Sequence, residues 1–485
     1  MWITNIIILG CFIGVVLLIL TNKLNRAIAA LLGALIAFFT LVFIENLGFQ
    51  LIVEFLFGSP PPGGDNFVNL HSLILILSMM IIVQIAHEAG LFQFISISLI
   101  KLTGERPIYI LIIFSVITVI LSSILNNILT VIILIPLIIT VSRILNINPS
   151  PYILTQAILV NIGGTFFSIS SIPNILITSY AKISFIDFFL NVGVISLLTF
   201  PLTLLFFIFL YKKDLETPTA GFEILKEINI WNFVQNRILL YKSAFALVIT
   251  LILFIIVPPT IISIDIVALT VALILIISSR LNAKEIIRKI DFELLLYLLG
   301  IFIISGALEY TGILDLLGSL ISSLTGGDPL NQILIIIWFS GYLSSNIDNI
   351  PITKVLIPVI DNMPKIPSIG NINQPFYSLA LGANWGDNLT PMGDNILVAN
   401  IAEQNKRPIS MKKFFKLGFF TTNFQLLIVS LYYILMYQVF IGILMLLSIF
   451  SILVILYVIH KFTSKKVETS RISRIIARVR SIIIK

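Results

Sequence analysis

Four polar motifs interrupt long apolar runs in this chain. The first is Ser122-Ser123-Ile124-Leu125-Asn126-Asn127 and the second is Ser344-Ser345-Asn346-Ile347-Asp348-Asn349. The third runs from Asn161-Ile162-Gly163-Gly164-Thr165 to Ser168-Ile169-Ser170-Ser171-Ile172-Pro173-Asn174. The fourth is Gly382-Ala383-Asn384-Trp385-Gly386-Asp387-Asn388-Leu389-Thr390-Pro391-Met392-Gly393-Asp394-Asn395. Gly and Pro unwind helices, and Ser, Thr and Asn supply oxygens where backbone carbonyls are also freed. Unwound carbonyls and half-helix C-termini favour Na⁺ or another cation, and half-helix N-termini favour anions. The candidate ion- and substrate-binding residues are therefore Ser123, Asn126, Asn127, Asn161, Gly163, Thr165, Pro173 and Asn174 in the first half. In the second half they are Ser345, Asp348, Asn349, Asn384, Asp387, Asn388, Thr390, Asp394 and Asn395, with Na⁺ expected at Asn126, Asp348 or Asn384.

Asp348, Asp387 and Asp394 are expected at membrane depth, where a carboxylate costs about 2.5–3.5 kcal/mol on insertion scales and marks a cavity or a partner. A salt bridge or a helix N-cap is the plainer role for each. Lys354 follows Asp348 by one to two helical turns. It can neutralise Asp348, attract an anion, stand in for a coupling cation, or extend toward the membrane surface. Glu309 and the pair His87-Glu88 fall near span ends and read as interfacial. No second histidine lies four residues after His87, so a zincin motif is absent. Gly386-Asp387 is half of the Gly-x-Gly-Asp signature of intramembrane aspartyl proteases, but Asn384 holds the earlier glycine position. No enzyme activity, cofactor or resident metal is expected beyond Na⁺ or H⁺ as a coupling ion.

The elements that position these motifs must be membrane helices. The chain is 58% hydrophobic and 11% charged, against about 25% charged in ordinary soluble domains. At roughly 20 residues per span, there is room for about eleven or twelve helices. Uncharged runs fall near 3–21, 27–44, 70–86, 107–142, 152–180, 188–211, 239–257, 262–279, 292–308, 330–360, 375–401, 414–436 and 438–460. The net charge of +7 sits largely in loops and in a tail with Lys461, Lys465, Lys466, Arg471, Arg474, Arg478, Arg480 and Lys485. It reads as membrane orientation and lipid contact, with no nucleic-acid partner. Basic loops follow Lys23, Lys212, Arg280 and Lys406, whereas 45–69, 258–263 and 437–442 lack Lys and Arg. The positive-inside rule then places the N-terminus outside and the C-terminus in the cytoplasm of a multi-pass cell-membrane protein. Residues 3–20 have no basic residue before them and read as a first span rather than a signal peptide. Cys11, the single cysteine, rules out an intrachain disulfide.

The run 107–142 is too long for one span and too short for two with a loop, and 330–360 behaves likewise. Each is expected to be a re-entrant hairpin with its polar motif at the tip, buried in protein or lining a wet cavity. The tips repeat each other at a constant offset of 222 residues, Ser344 against Ser122, Pro358 against Pro136 and Gly312 against Gly90. The expected fold is all-α and polytopic: two inverted repeats, each with a re-entrant hairpin and a broken transmembrane helix, plus extra terminal helices. The expected division is an N-terminal span at 1–26, a first repeat at 27–211 and a cytoplasmic linker at 212–242. A connecting span at 243–261, a second repeat at 262–436, a C-terminal span at 437–460 and a basic cytoplasmic tail at 461–485 follow.

At these motifs the sequence resembles the citrate-transporter-like, arsenite-pump and P-protein permeases of the ion transporter superfamily. The residues that carry the likeness are Asn161 through Thr165, Pro173-Asn174-Ile175-Leu176 and Ser184-Phe185-Ile186-Asp187-Phe188. In the second half they are Ile347-Asp348-Asn349-Ile350-Pro351, Leu381-Gly382-Ala383-Asn384, Asn388-Leu389-Thr390-Pro391, Ile401-Ala402-Glu403, Ile409-Ser410 and Phe414-Phe415-Lys416-Leu417-Gly418. The likeness spans roughly residues 10–435. It implies a homodimer and an elevator-like motion of a transport domain against a scaffold. The leading expectation is a secondary transporter that moves a small anion or oxyanion, of citrate/dicarboxylate or arsenite type, with Na⁺ or H⁺. A Na⁺/H⁺ antiporter is the alternative; a passive channel and an aspartyl protease are remote.

Overall fold

The computed structural model describes residues 2–21, 23–58, 67–102, 106–215, 227, 229–258, 261–363, 372–390, 395–448 and 451, and every regular element among them is helical. The helices are α1 Trp2–Leu20, α2 Arg26–Phe43, α3 Phe49–Phe57, α4 Val68–Glu88, α5 Leu91–Ile100, α6 Pro107–Ile124 and α7 Asn127–Ile144. Then come α8 Ser150–Gly163, α9 Ile172–Ala181, α10 Phe185–Leu210, α11 Arg237–Ile256, α12 Ile264–Ser279, α13 Ala283–Arg288 and α14 Phe292–Tyr310. The chain continues through α15 Ile313–Thr325, α16 Pro329–Asn346, α17 Asn349–Asp361, α18 Gln374–Gly386, α19 Asn395–Gln404, α20 Met411–Tyr437 and α21 Val439–Ser448. Nine described helices (α1, α2, α4, α6, α7, α10, α11, α14 and α20) are long and apolar enough to cross a membrane. The protein is a multi-pass membrane protein. Residues 59–64 within the segment expected outside, Asp394 and the basic tail 461–485 lie outside the described residues.

The runs too long for a single span are divided at the polar motifs. Asn126 and Asp348 end the preceding extended pair of residues and cap α7 and α17 with their side chains. Proline stands first in α6 and α16 and second in α8 and α18, within the first turn where the missing N–H costs nothing. Gly90 and Gly312, which share the repeat offset, both take left-handed backbone with φ of +80° and +71° as they join α4 to α5 and α14 to α15.

The first divided run turns back on itself. Tyr152 Oη, at the start of α8, donates to the carbonyl of Pro107 at the start of α6. Only residues 145–149 separate α7 from α8, a reach of at most about 22 Å from the end of one helix to the start of the next. A straight helix over α6 and α7 would instead be about 54 Å long. The second divided run also turns back. α16 and α18 run side by side in the same direction, with Gly382 on Ile337 and Gly386 on Gly341. Tyr180 then ties the end of α17 to the start of α18, donating to Asp361 Oδ2 at 3.0 Å with its ring 6.3 Å from that of Phe376. The first pair thus opens beside the start of α8 and the second beside the end of α9. Around them, α2 packs along α14, and α4 along α12 and α11.

Candidate ion and substrate site

The two tips and the two unwound segments converge on a chain of asparagines. Asn127 Nδ2 donates to Asn161 Oδ1 at 2.6 Å, and Asn161 Nδ2 donates to Asn388 Oδ1 at 2.7 Å. Asn384 Nδ2 donates to Asn174 Oδ1 at 2.9 Å, and Asn174 Nδ2 donates to the carbonyls of Gly164 and Phe167 at 2.8 and 3.1 Å. Asn161, Asn174, Asn384 and Asn388 are all fully buried. Trp385 Nε1 donates to Thr165 Oγ1, which also meets Ser196 Oγ of α10 at 2.8 Å. The chain crosses between the halves of the sequence three times, at 161–388, 174–384 and 165–385.

Each unwound segment is locked to its neighbouring tip. Ser170 Oγ donates to the carbonyl of Ser123 at 2.7 Å. Thr390 Oγ1 donates to the carbonyl of Ser345, and Ser344 Oγ to that of Ala383. Asn395 Nδ2 reaches back to the Asp387 carbonyl at 2.8 Å. Close backbone approach demands glycine here. A Cβ on Gly163 would lie 1.8 Å from Ser122 Oγ and 2.8 Å from the Val119 carbonyl. Pro173 opens α9. The hydroxyls of Ser123 and Ser345 bond within their own helices, to Ile120 and Tyr342 carbonyls. These two residues therefore position the tips through their carbonyls. Asn349 is the buried first residue of α17.

Two acceptors at this junction, Asn127 Oδ1 and Asn384 Oδ1, are buried and have no hydrogen-bond partner among the described residues. A buried oxygen of that kind is rare in a folded protein and marks a place for an ion or an ordered water. A cavity of about 820 Å³ reaches the second tip. Its described lining includes Ser344, Asn346, Asp348 and Asp387 from the site, and Lys23, Arg26, Asp291 and Glu293 from α2, α14 and their approaches. Four acidic side chains thus face two basic ones. A smaller cavity of about 200 Å³ is lined by Asn126, Ser170 and Ser171 at the first tip. Among the described residues no group of three or more His, Cys, Asp or Glu could hold a metal ion.

One expectation is corrected. Lys354 is not the partner of Asp348. Its Nζ donates to Asn69 Oδ1 of α4 at 2.7 Å and lies 5.2 Å over the ring of Phe302, with Glu309 as the acid in electrostatic range. The reason is helical phase: six residues along α17 turn the side chain by about 240° and raise it by about 9 Å. Asp348 instead has Arg26 and Tyr297 as neighbours, and its Oδ1 accepts the Ile350 N–H at 3.2 Å. The N-cap role and the site role therefore coincide in one residue. In the sequence Arg26 belongs to the basic loop after the first span, and its pairing with acids on another helix has no local signal. Glu88 pairs with Lys289 at 2.7 Å, and His87 meets Gln93. Asp394 lies outside the described residues.

The sequence profile of the citrate transporter (CitMHS) family matches residues 16–376. A 46 kDa membrane protein of Mycobacterium leprae is 29% identical over 438 residues, covering 90% of this chain and 99% of that protein. An uncharacterized transporter of Mycobacterium tuberculosis is 29% identical over 76% of this chain and 86% of its own. The human P protein is 26% identical over 84% of this chain and 57% of that protein. Among solved structures, Neisseria gonorrhoeae MtrF, described as illuminating a class of antimetabolite efflux pumps, aligns with a TM-score of 0.54. It is 13% identical, covers 80% of this chain and 83% of that one, and shares the fold.

Proposed function

The chain belongs to the citrate transporter family and is a membrane transporter, and we propose that it moves a small anion or oxyanion coupled to Na⁺ or H⁺. The anion is of the citrate/dicarboxylate or arsenite kind. The observation that carries the coupling is the pair of buried oxygens Asn127 Oδ1 and Asn384 Oδ1, one in each half of the site, neither of which has a hydrogen-bond partner among the described residues. Oxygens fixed by neighbouring hydrogen bonds on the same side chain and left without a donor of their own among the described residues suit a hard monovalent cation. Asp348 and Asp387, both facing the larger cavity, add the negative charge that a cation site uses. The N-termini of α7 and α17 at the two tips supply the partial positive charge an anion would use.

The two folded-back runs, the shared offset of 222 residues and the matched left-handed Gly90 and Gly312 support two inverted repeats. They support the repeat boundaries 27–211 and 262–436. We place α6–α9 and α16–α19 in a moving transport domain and α2, α4, α12 and α14 in a scaffold, working as an elevator in a homodimer. The cell membrane, with the N-terminus outside and the C-terminus cytoplasmic, is the matching placement. No cofactor or enzymatic step enters this scheme.

A second reading, exchange of Na⁺ for H⁺, is favoured by the four acids against two bases among the described residues around the larger cavity. The experiment that separates the two uses purified protein in proteoliposomes. Citrate, dicarboxylates, arsenite and Na⁺ are offered as labelled solutes under imposed Na⁺ or H⁺ gradients. Gradient-driven accumulation of one anion supports the proposal. Na⁺ movement driven by a pH gradient, with no anion moved, replaces it with the exchanger. Absence of any gradient-driven flux refutes both.

A further inference from the structure

Arg26 is the first residue of α2. Its guanidinium lies 3.3 Å from Glu293 Oε1 and 3.6 Å from Asp291 Oδ2, the acids that open α14, and 5.7 Å over the ring of Tyr297. Because α2 and α14 pack along each other, these groups form one fixed unit. Asp348 at the second hairpin tip faces that unit. Arg26 is its charged neighbour, and the ring of Tyr297 lies beside it. Lys23, Arg26, Asp291, Glu293, Asp348 and Asp387 all border the same cavity.

We infer that Arg26 is a latch that competes with the coupling cation for Asp348, holding the second hairpin against α2 and α14 until Na⁺ or a proton neutralises the aspartate. The inference rests on the coupling role proposed for Asp348. A guanidinium keeps its charge at all physiological pH. It attracts a bare carboxylate and loses most of that attraction once the carboxylate carries a cation or proton. An empty carrier is then held on this face and a loaded one is freed to move, which makes the coupling obligatory. Asp291 and Glu293 pull the same guanidinium the other way, so the strength of the latch is set by their competition with Asp348. Among the described residues, Lys23 and Asp387 are the remaining charged groups at the cavity, and Tyr297 is the neutral one beside Asp348. Arg26 borders the same cavity as the ion-binding residue and acts on it rather than on the ion, so its role is one of positioning.

The test follows the thermal stability of the purified full-length protein during Na⁺ titration, with choline chloride holding ionic strength constant, and during a pH titration without Na⁺. Wild type should respond to one of these cations and Asp348→Asn should not. Arg26→Gln should lower the half-saturating Na⁺ about tenfold, or raise the pH midpoint by about one unit for a proton site. Arg26→Lys should stay near wild type. Asp291→Asn with Glu293→Gln should shift the response in the opposite direction to Arg26→Gln, because the latch is then strengthened. General loosening of the α2–α14 contact would move both variants the same way, and that result overturns the latch. So does a half-saturation in Arg26→Gln within twofold of wild type. Should Arg26→Gln not fold, an unshifted response in the double acid variant overturns it. Loss of response in Asp348→Asn with no effect of Arg26 overturns the latch and leaves the coupling site standing. An unchanged response in Asp348→Asn, or none in wild type, overturns the coupling site itself.

Discussion

Replacing Asn161 by alanine should weaken the joint between the two halves of the site at one of their fully buried links. The side chain has no solvent exposure and makes two short bonds, accepting from Asn127 and donating to Asn388. Alanine leaves Asn127 Nδ2 and Asn388 Oδ1 without that partner. In soluble proteins each buried orphan costs about 1–3 kcal/mol. Within membrane helices side-chain hydrogen bonds average about 0.6 and reach about 1.7 kcal/mol, because the unfolded reference also finds partners. Two bonds then give roughly 1–3 kcal/mol, which lowers the apparent melting temperature in detergent by a few degrees. Asn388→Ala removes the same 2.7 Å bond from its other end. The double variant should therefore lose less than the sum of the singles, by about 0.5–1.5 kcal/mol. Strictly additive losses, or an Asn161→Ala protein as stable as wild type, would refute the claim that this network joins the halves.

Four further outcomes follow. Gly386→Ala should sharply reduce folded yield, measured by size-exclusion profile, because its Cβ would lie 2.0 Å from the Gly341 carbonyl oxygen of α16; backbone cannot give way as a side chain does, and overpacking of this kind costs at least about 1–3 kcal/mol. Gly14→Ala, with nothing within 4 Å of the new carbon, should leave that profile unchanged. Lys354→Met should not rescue Asp348→Asn, since Lys354 bonds Asn69 and not Asp348; stability losses of the two substitutions should add within about 0.5 kcal/mol. Cysteines at Lys284 and Ile262, introduced after Cys11 is replaced, should be labelled by an impermeant maleimide from opposite sides of the membrane, and same-side labelling would contradict the charge-based orientation.

Much of the fold is legible because membrane insertion writes it into local composition. Uncharged runs marked the helices, and the excess length of 107–142 and 330–360 marked the two interruptions, found at Leu125-Asn126 and Ile347-Asp348. The polar motifs at 161–174 and 382–395 pointed to the second pair of breaks, and the structure brings Asn161, Asn174, Asn384 and Asn388 together. What the sequence does not carry is helical phase and neighbour identity. Lys354 is near Asp348 in number but turned toward Asn69, and Arg26 is 322 residues from Asp348 yet beside it in space. The hydroxyls of Ser123 and Ser345 read as ligands because of their type, but each is engaged by a carbonyl one turn back, a choice made by rotamer and burial.

The most direct test of the account is uphill transport by wild type and Asp348→Asn in proteoliposomes under imposed Na⁺ and H⁺ gradients, with the anion panel as labelled solute. The account predicts that wild type accumulates one of the anions against its gradient, that collapsing the cation gradient with an ionophore abolishes accumulation, and that Asp348→Asn, folded and inserted, loses the cation dependence. Coupled accumulation that is unchanged in Asp348→Asn, or a wild-type flux indifferent to both cation gradients, would contradict it.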